Sequence, residues 1–329
     1  MNAAKSGASG AALVAGATLA TVGGWIVYSA LGINHRWPLP HAINAERRTF
    51  SGNNTGTLSY YADTSIAGRP LVLIHSINAA ASAYEMRPIF EQYRRMRPVY
   101  ALDLPGFGHS ERADRVYSPQ LYTQAVLDIL KITGQADVIA LSLGGEFAAR
   151  AALERPDLFH SLTLISPSGF TPSREKRASQ SATENGTTDT AYGLLSSRLW
   201  SQAFYDLLVT KRSIEWFLSM SFVGPVDVGL ATYDYLTGHQ AGARNAPLYF
   251  VSGKLFTRDI RESVYEQLTI PVLVVYDEDA FVSFDLLPEV VERHENWHLQ
   301  RITPTKGLPQ FEQPEALRDT LNQFWDKLG

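Results

Sequence analysis

Cysteine is absent from this 329-residue chain. That excludes disulfides, thiol nucleophiles and cysteine metal sites, and it leaves either side of a membrane open as the compartment. An excess of charge is missing too: 29 Lys and Arg stand against 33 Asp and Glu, a formal net charge of −4. No basic run is long enough to track a phosphate backbone, so nucleic acid is not an expected partner. His and carboxylates do not fall at metal-ligand spacing, and no glycine pattern cradles a nucleotide, so neither a metal nor another cofactor is expected. Internal repeats and long low-complexity tracts are lacking as well.

The longest absence is of charge. Residues 11–33, AALVAGATLATVGGWIVYSALGI, carry none over 23 positions. As a helix this run is roughly 34 Å long, against about 30 Å of hydrocarbon. Residues 1–34 are therefore predicted to form an uncleaved N-terminal transmembrane anchor; a signal peptide cleaved near Ser29 is the rival. Trp25, Tyr28 and Trp37 fall where aromatic rings favour the interface. Ala12, Gly16, Ala20 and Gly24 recur every fourth residue, a ridge on which a partner transmembrane helix could pack, or merely a small-residue-rich anchor. Lys5 faces Arg36, Arg47 and Arg48 across the span, too even a contest to orient it.

After a linker at 35–49, apolar runs alternate with helical periodicity. RPLVLIHS (69–76), RPVYALDLPG (97–106), ADVIALS (136–142), FHSLTLISPSG (160–169), PVLVVYDED (271–279) and WHLQRITPT (297–305) read as strands. Helices are predicted over 83–95, 118–134, 144–156 and 311–328. The pattern implies an α/β fold, a mostly parallel sheet with helices on both faces. The rhythm breaks over 171–262, where a polar stretch precedes aromatic-rich helical segments. This interval is predicted to be a helical lid between two parts of the core, 50–170 and 263–329. Trp200, Phe204, Trp216, Phe217 and Phe222 either line an apolar cleft or form the lid's own core.

In IALSLGGEF, Ser142 stands between a strand and a helix with Ala140 and Gly144 two residues to either side. A nucleophile elbow needs small neighbours there because its turn is strained and crowded. The helix N-terminus and the Leu143 amide could stabilise a developing oxyanion. Together with LVLIHS, DLPGFGHSER (103–112) and LPQFEQPE, this motif resembles the α/β-hydrolase superfamily, in its lidded branch of esterases, lipases and carbon–carbon bond hydrolases. The resemblance spans about residues 50–329 and weakens over the lid. It implies Ser142 as nucleophile, a second oxyanion amide near Ile77, and His75 as structural. Ser76 departs from the family's glycine. In YDEDAFVS, Asp279 is the expected catalytic acid and Asp277 the second candidate.

The same resemblance places a histidine at 307, where this chain has Lys306-Gly307. None of the eight histidines is an obvious substitute. His298 opens a strand, up to roughly 30 Å from the loop at its far end. His294 precedes that strand, and His160 opens another. His35 and His41 belong to the linker. His239, in the lid, His109 and Lys306 remain as alternative bases. Two functions follow as expectations. One is a membrane-anchored serine hydrolase of apolar, lipid-like ester or acyl substrates with an atypical triad. The other is a catalytically weak homologue that binds an apolar ligand or a membrane-protein partner.

Overall fold

Strands that are apolar at every position need cover on both faces. The LVLI of β3 (Leu71–Ile74) and the ADVIAL of β5 (Ala136–Leu141) are buried throughout in the computed structural model, which describes residues 21–172 and 185–329. The chain runs from helix α1 (residues 21–32) into β1 (Glu46–Gly52) and β2 (Gly56–Asp63), then β3. After a 3₁₀ turn at Ala83–Met86 come α2 (Arg87–Tyr93), β4 (Val99–Asp103), α3 (Pro119–Thr133), β5, α4 (Gly144–Glu154) and β6 (Phe159–Ile165). Five lid helices follow: α5 (Asn185–Leu195), α6 (Ser201–Leu208), α7 (Lys211–Ser219), α8 (Val228–Gly238) and α9 (Asn245–Val251). A short α10 (Ile260–Ser263) leads back to β7 (Val272–Tyr276), α11 (Leu287–Arg293), β8 (Trp297–Arg301), α12 (Pro309–Glu312) and α13 (Pro314–Leu328).

The sheet has eight strands in the order β1-β2-β4-β3-β5-β6-β7-β8. β1 and β2 form an antiparallel hairpin, β2 pairs antiparallel with β4, and the remaining pairs are parallel. Alternation sends Val72, Ile74, Val138, Ala140, Leu162 and Leu164 to one core, against α3 and α4. Leu71, Leu73, Ile139, Leu141, Leu273 and Val275 go to the other, against α2 and α13. The carboxyl ends of β3, β5, β6, β7 and β8 thus open onto one edge, where loops can meet.

One boundary moves. β1 begins at Glu46, inside the predicted linker, because Glu46 through Gly52 find antiparallel partners in Ala62 through Gly56. The lid aromatics are not gathered in a cleft. Trp200, Trp216 and Phe217 are exposed, whereas Phe222 is buried beside Phe311. The polar start of the lid falls partly in 173–184, outside the described residues.

The predicted anchor is described only from residue 21. Ala12, Gly16 and Ala20 lie outside the described residues, and among those described no helix is long and apolar enough to cross a membrane. What is described of α1 is tied to the lid. Trp25 Nε1 donates to the Ala203 carbonyl at 2.8 Å, and Ser29 Oγ to Asp206 Oδ2 at 2.6 Å. Asp206 also meets His35 Nε2 at 2.9 Å and accepts from Gln202 at 2.8 Å, so its buried carboxylate is fully engaged. Val22, Val27, Tyr28 and Leu31 of α1 stay exposed.

Candidate functional site

Ser142 follows β5 directly and has φ 51°, a conformation that L-residues adopt only under constraint. Two backbone bonds impose it: the Ser142 amide donates to the Ile165 carbonyl at 2.8 Å, and its carbonyl accepts from Gly145 at 2.9 Å. A Cβ at Gly144 would lie 2.3 Å from the His75 carbonyl, so the close approach of α4 to β3 requires glycine there. Ser142 is half-buried, and its Oγ makes no hydrogen bond among the described residues. Leu143, the next residue, and Ile77, in the loop after β3, are both buried, and neither amide has a protein acceptor among the described residues.

The loop carrying Ile77 is held by a residue that sequence reading did not single out. Glu85 accepts from the Ser76 amide at 2.8 Å, Ser76 Oγ at 2.9 Å and Asn78 Nδ2 at 2.8 Å. Burial pushes its carboxyl up to about 7, against the pull of these donors. The departure at Ser76 is thereby explained: its hydroxyl fills a bond that glycine could not make. Gln310 Nε2 donates to the Glu85 carbonyl at 3.1 Å, joining this loop to α12.

On the other flank Asp277 is engaged by Arg301 Nε at 2.6 Å and the Thr305 amide at 2.8 Å. Burial opposes its charge, yet these donors hold its carboxyl below the usual range. Its work is to shape the β7 and β8 turns. Asp279 Oδ1 accepts from the Phe281 and Val282 amides at 2.8 and 3.3 Å. It forms no ion pair among the described residues, and burial pushes it up to about 6. Gly307 faces it. A Cβ there would stand 2.9 Å from Asp279 Oδ2 and 3.7 Å from Ser166 Oγ. Ser166, buried at the end of β6, has φ 45° and hydrogen-bonds Asp279 through its side chain. It too escaped sequence reading, since nothing in ISPSG distinguishes a strained serine from a loop serine.

Among the described residues no histidine or lysine side chain hydrogen-bonds Ser142. His75 is buried with both nitrogens used, Nδ1 at 2.5 Å from the Ser76 carbonyl and Nε2 accepting from Leu104 at 3.0 Å; burial depresses it to about 4, so it is neutral. His109 Nε2 lies 3.1 Å from the Pro40 carbonyl. His239 is drawn to the α1–lid junction, with Nδ1 2.7 Å from the Tyr235 carbonyl and its ring stacked 6.2 Å from His35. Backbone acceptors hold both rings, the one for His109 from the linker and the one for His239 from its own helix. Lys306 donates its amide to Glu312 Oε2 at 2.9 Å, and its ammonium has no partner among the described residues. His160 and His298 open β6 and β8, the first bonded to Asp137 at 2.7 Å. His294 Nδ1 is 2.8 Å from the Val290 carbonyl, and His41 meets Tyr61 and His109 edge-on.

Two curated relatives and one solved structure are similar to this chain. The hydrolase YugF of Bacillus subtilis, itself uncharacterised, is 34% identical over 134 residues, 39% of this chain and 47% of its own. Esterase Rv0045c of Mycobacterium tuberculosis is 39% identical over 100 residues, 29% of this chain and 33% of its own. The chain thus spans less than half the length of these curated relatives. A crystal structure of a membrane phospholipase A superposes with a TM-score of 0.68 at 19% identity, over 96% of this chain and 95% of that one, a likeness of fold. The model of the alpha/beta hydrolase family matches residues 71–320, and with an eight-stranded, mostly parallel sheet and a serine at a strained strand-to-helix turn, the chain belongs to that family.

Proposed function

We propose that this chain is a catalytically weak α/β-hydrolase homologue that holds an apolar acyl ligand against Ser142. In this reading Leu143 and Ile77 supply oxyanion donors, Asp279 occupies the acid position, and Gly307 stands where the base is missing. One observation carries it. The position of a Gly307 side chain abuts Asp279, while no imidazole hydrogen-bonds Ser142. Loss of the histidine from a serine triad costs on the order of 10⁶ in turnover, and donors plus binding retain roughly 10³–10⁴ over water. A relative named an esterase agrees with an acyl ligand. Residues 11–33 would hold the protein to a membrane, alone or against a partner helix, because the run is long and uncharged.

A second reading, a serine hydrolase of apolar esters with an unusual base, is favoured by the elbow itself. Ser142 keeps φ 51° and an unbonded Oγ, a strain that an idle site does not need. Fluorophosphonate labelling separates the two. The first reading expects slow labelling of Ser142, abolished in Ser142→Ala and accelerated by free imidazole. Labelling at ordinary triad rates without imidazole establishes the second reading. Free imidazole is preferable to Gly307→His, since Gly307 has φ 102° and a Cβ there crowds Asp279.

A further inference from the structure

Away from Ser142, a cavity of about 200 Å³ opens between the lid and the loop after β4. A water molecule's share of liquid volume is ~30 Å³, so several water-sized groups fit. Arg115, Arg198 and Arg244 line it, with Asp114, Tyr192 and Tyr249. Three arginines and one aspartate thus line it, and none of the three arginines forms a salt bridge among the described residues, where fifteen other ion pairs occur. Arg115 donates one Nη2 bond to the Asn54 carbonyl, and Arg244 Nη1 donates to Gln202 Oε1 at 2.6 Å. Both keep further N–H groups, and Arg198 is exposed with no hydrogen bond among the described residues. Arginines converging on a cavity without carboxylate partners suit a tetrahedral oxyanion, because planar forks offer paired donors to adjacent oxygens.

We propose that this cavity binds a phosphate group, of the kind a phospholipid headgroup presents. Its rim supports a lipid source. Leu194, Leu199, Trp200 and Val116, each within two residues of a lining residue in the chain, are exposed at 61, 74, 37 and 71%. Such side chains beside a phosphate pocket match the chemistry of a headgroup–acyl boundary. Arg244 also reaches α1, through Gln202 to Asp206, which holds Ser29. The cavity is therefore fastened to α1. The proposal does not depend on Ser142 chemistry.

The full chain in neutral detergent is titrated with lysophosphatidic acid, lysophosphatidylcholine and inorganic phosphate, following Trp fluorescence. Lysophosphatidic acid is expected to bind, weakened about tenfold or more in Arg115→Ala/Arg198→Ala, as charge-assisted bonds are lost. Arg318→Ala, a surface cation on α13, should leave binding unchanged. If inorganic phosphate binds as tightly as the lipid and loses as much in the double variant, the phosphate site stands and its source is soluble. Binding of lysophosphatidic acid that is unaffected by the double variant, or weakened equally by Arg318→Ala, overturns the site. Arg198→Gln, at an exposed position, repeats the test should the double variant not fold.

Discussion

On the β3–β5 flank of the sheet edge, polar groups are matched: Glu85 takes three donors, His75 uses both nitrogens, and the strained Ser142 turn is closed by two backbone bonds. On the β7–β8 flank, Asp277 has a cation, Arg301, whereas Asp279 accepts only from neutral donors, the Phe281 and Val282 amides and Ser166. Asp279 is largely buried, without a cation, facing a glycine. A cation beside Asp279 would keep it ionised. Without one, burial wins and the carboxyl rises toward neutrality. The difference teaches that neutral donors alone do not keep a buried carboxylate in its ordinary range, as Glu85 and Asp279 both show, whereas Arg301 helps hold Asp277 below it.

Four substitutions break or sharpen that contrast. The largest effect should come from Gly144→Val, whose Cβ meets the His75 carbonyl at 2.3 Å. Denaturant unfolding should show a loss of about 3 kcal/mol or more, because backbone rather than a flexible side chain must yield. Asp277→Ala should cost about 2–3 kcal/mol, leaving Arg301 and the Thr305 amide without their acceptor. The folded pKa of Asp277 is depressed, so its contribution is full above the unfolded value and is lost as pH falls through the folded one. Comparing wild type with Asp277→Ala, the gap should close in acid.

Asp279 should behave in the opposite sense. Its folded pKa is raised to about 6, so the unfolded chain loses its proton first, and stability falls as pH rises from about 4 to 6. Asp279→Asn keeps an acceptor for the Phe281 and Val282 amides. It should stabilise the protein by about 1–3 kcal/mol at pH 8 and by little at pH 4, read from thermal unfolding at both. A destabilised Asp279→Asn at pH 8 would mean that the ionised carboxylate has a partner after all. Smallest is Ser29→Ala, which removes one of several bonds to Asp206 and should cost about 1 kcal/mol or less. Faster amide exchange confined to α1 would report it.

Much of the core was legible. Continuous apolar runs marked β3, β5 and β7, since a strand buried on both faces has no polar side to show. Small residues around Ser142 marked the elbow, because crowding is a local property. The β1–β2 hairpin was not resolved: its partly exposed strand interleaves polar and apolar residues and starts inside what reads as a linker. Glu85 and Ser166 were not legible either. A carboxylate inside AYEMRP looks the same whether it faces water or three donors, and only packing decides which.

The sequence by itself determined the parallel strands of the core and the place of Ser142 between strand and helix, because each rests on neighbours a few residues apart or on the residue type alone. Tertiary structure decided that His109 and His239 are held elsewhere, that Asp279 rather than Asp277 faces Gly307, and that three arginines converge on one cavity. Those outcomes depend on distances between segments far apart in the chain. Such distances are set by how the whole core packs, and no local pattern encodes them.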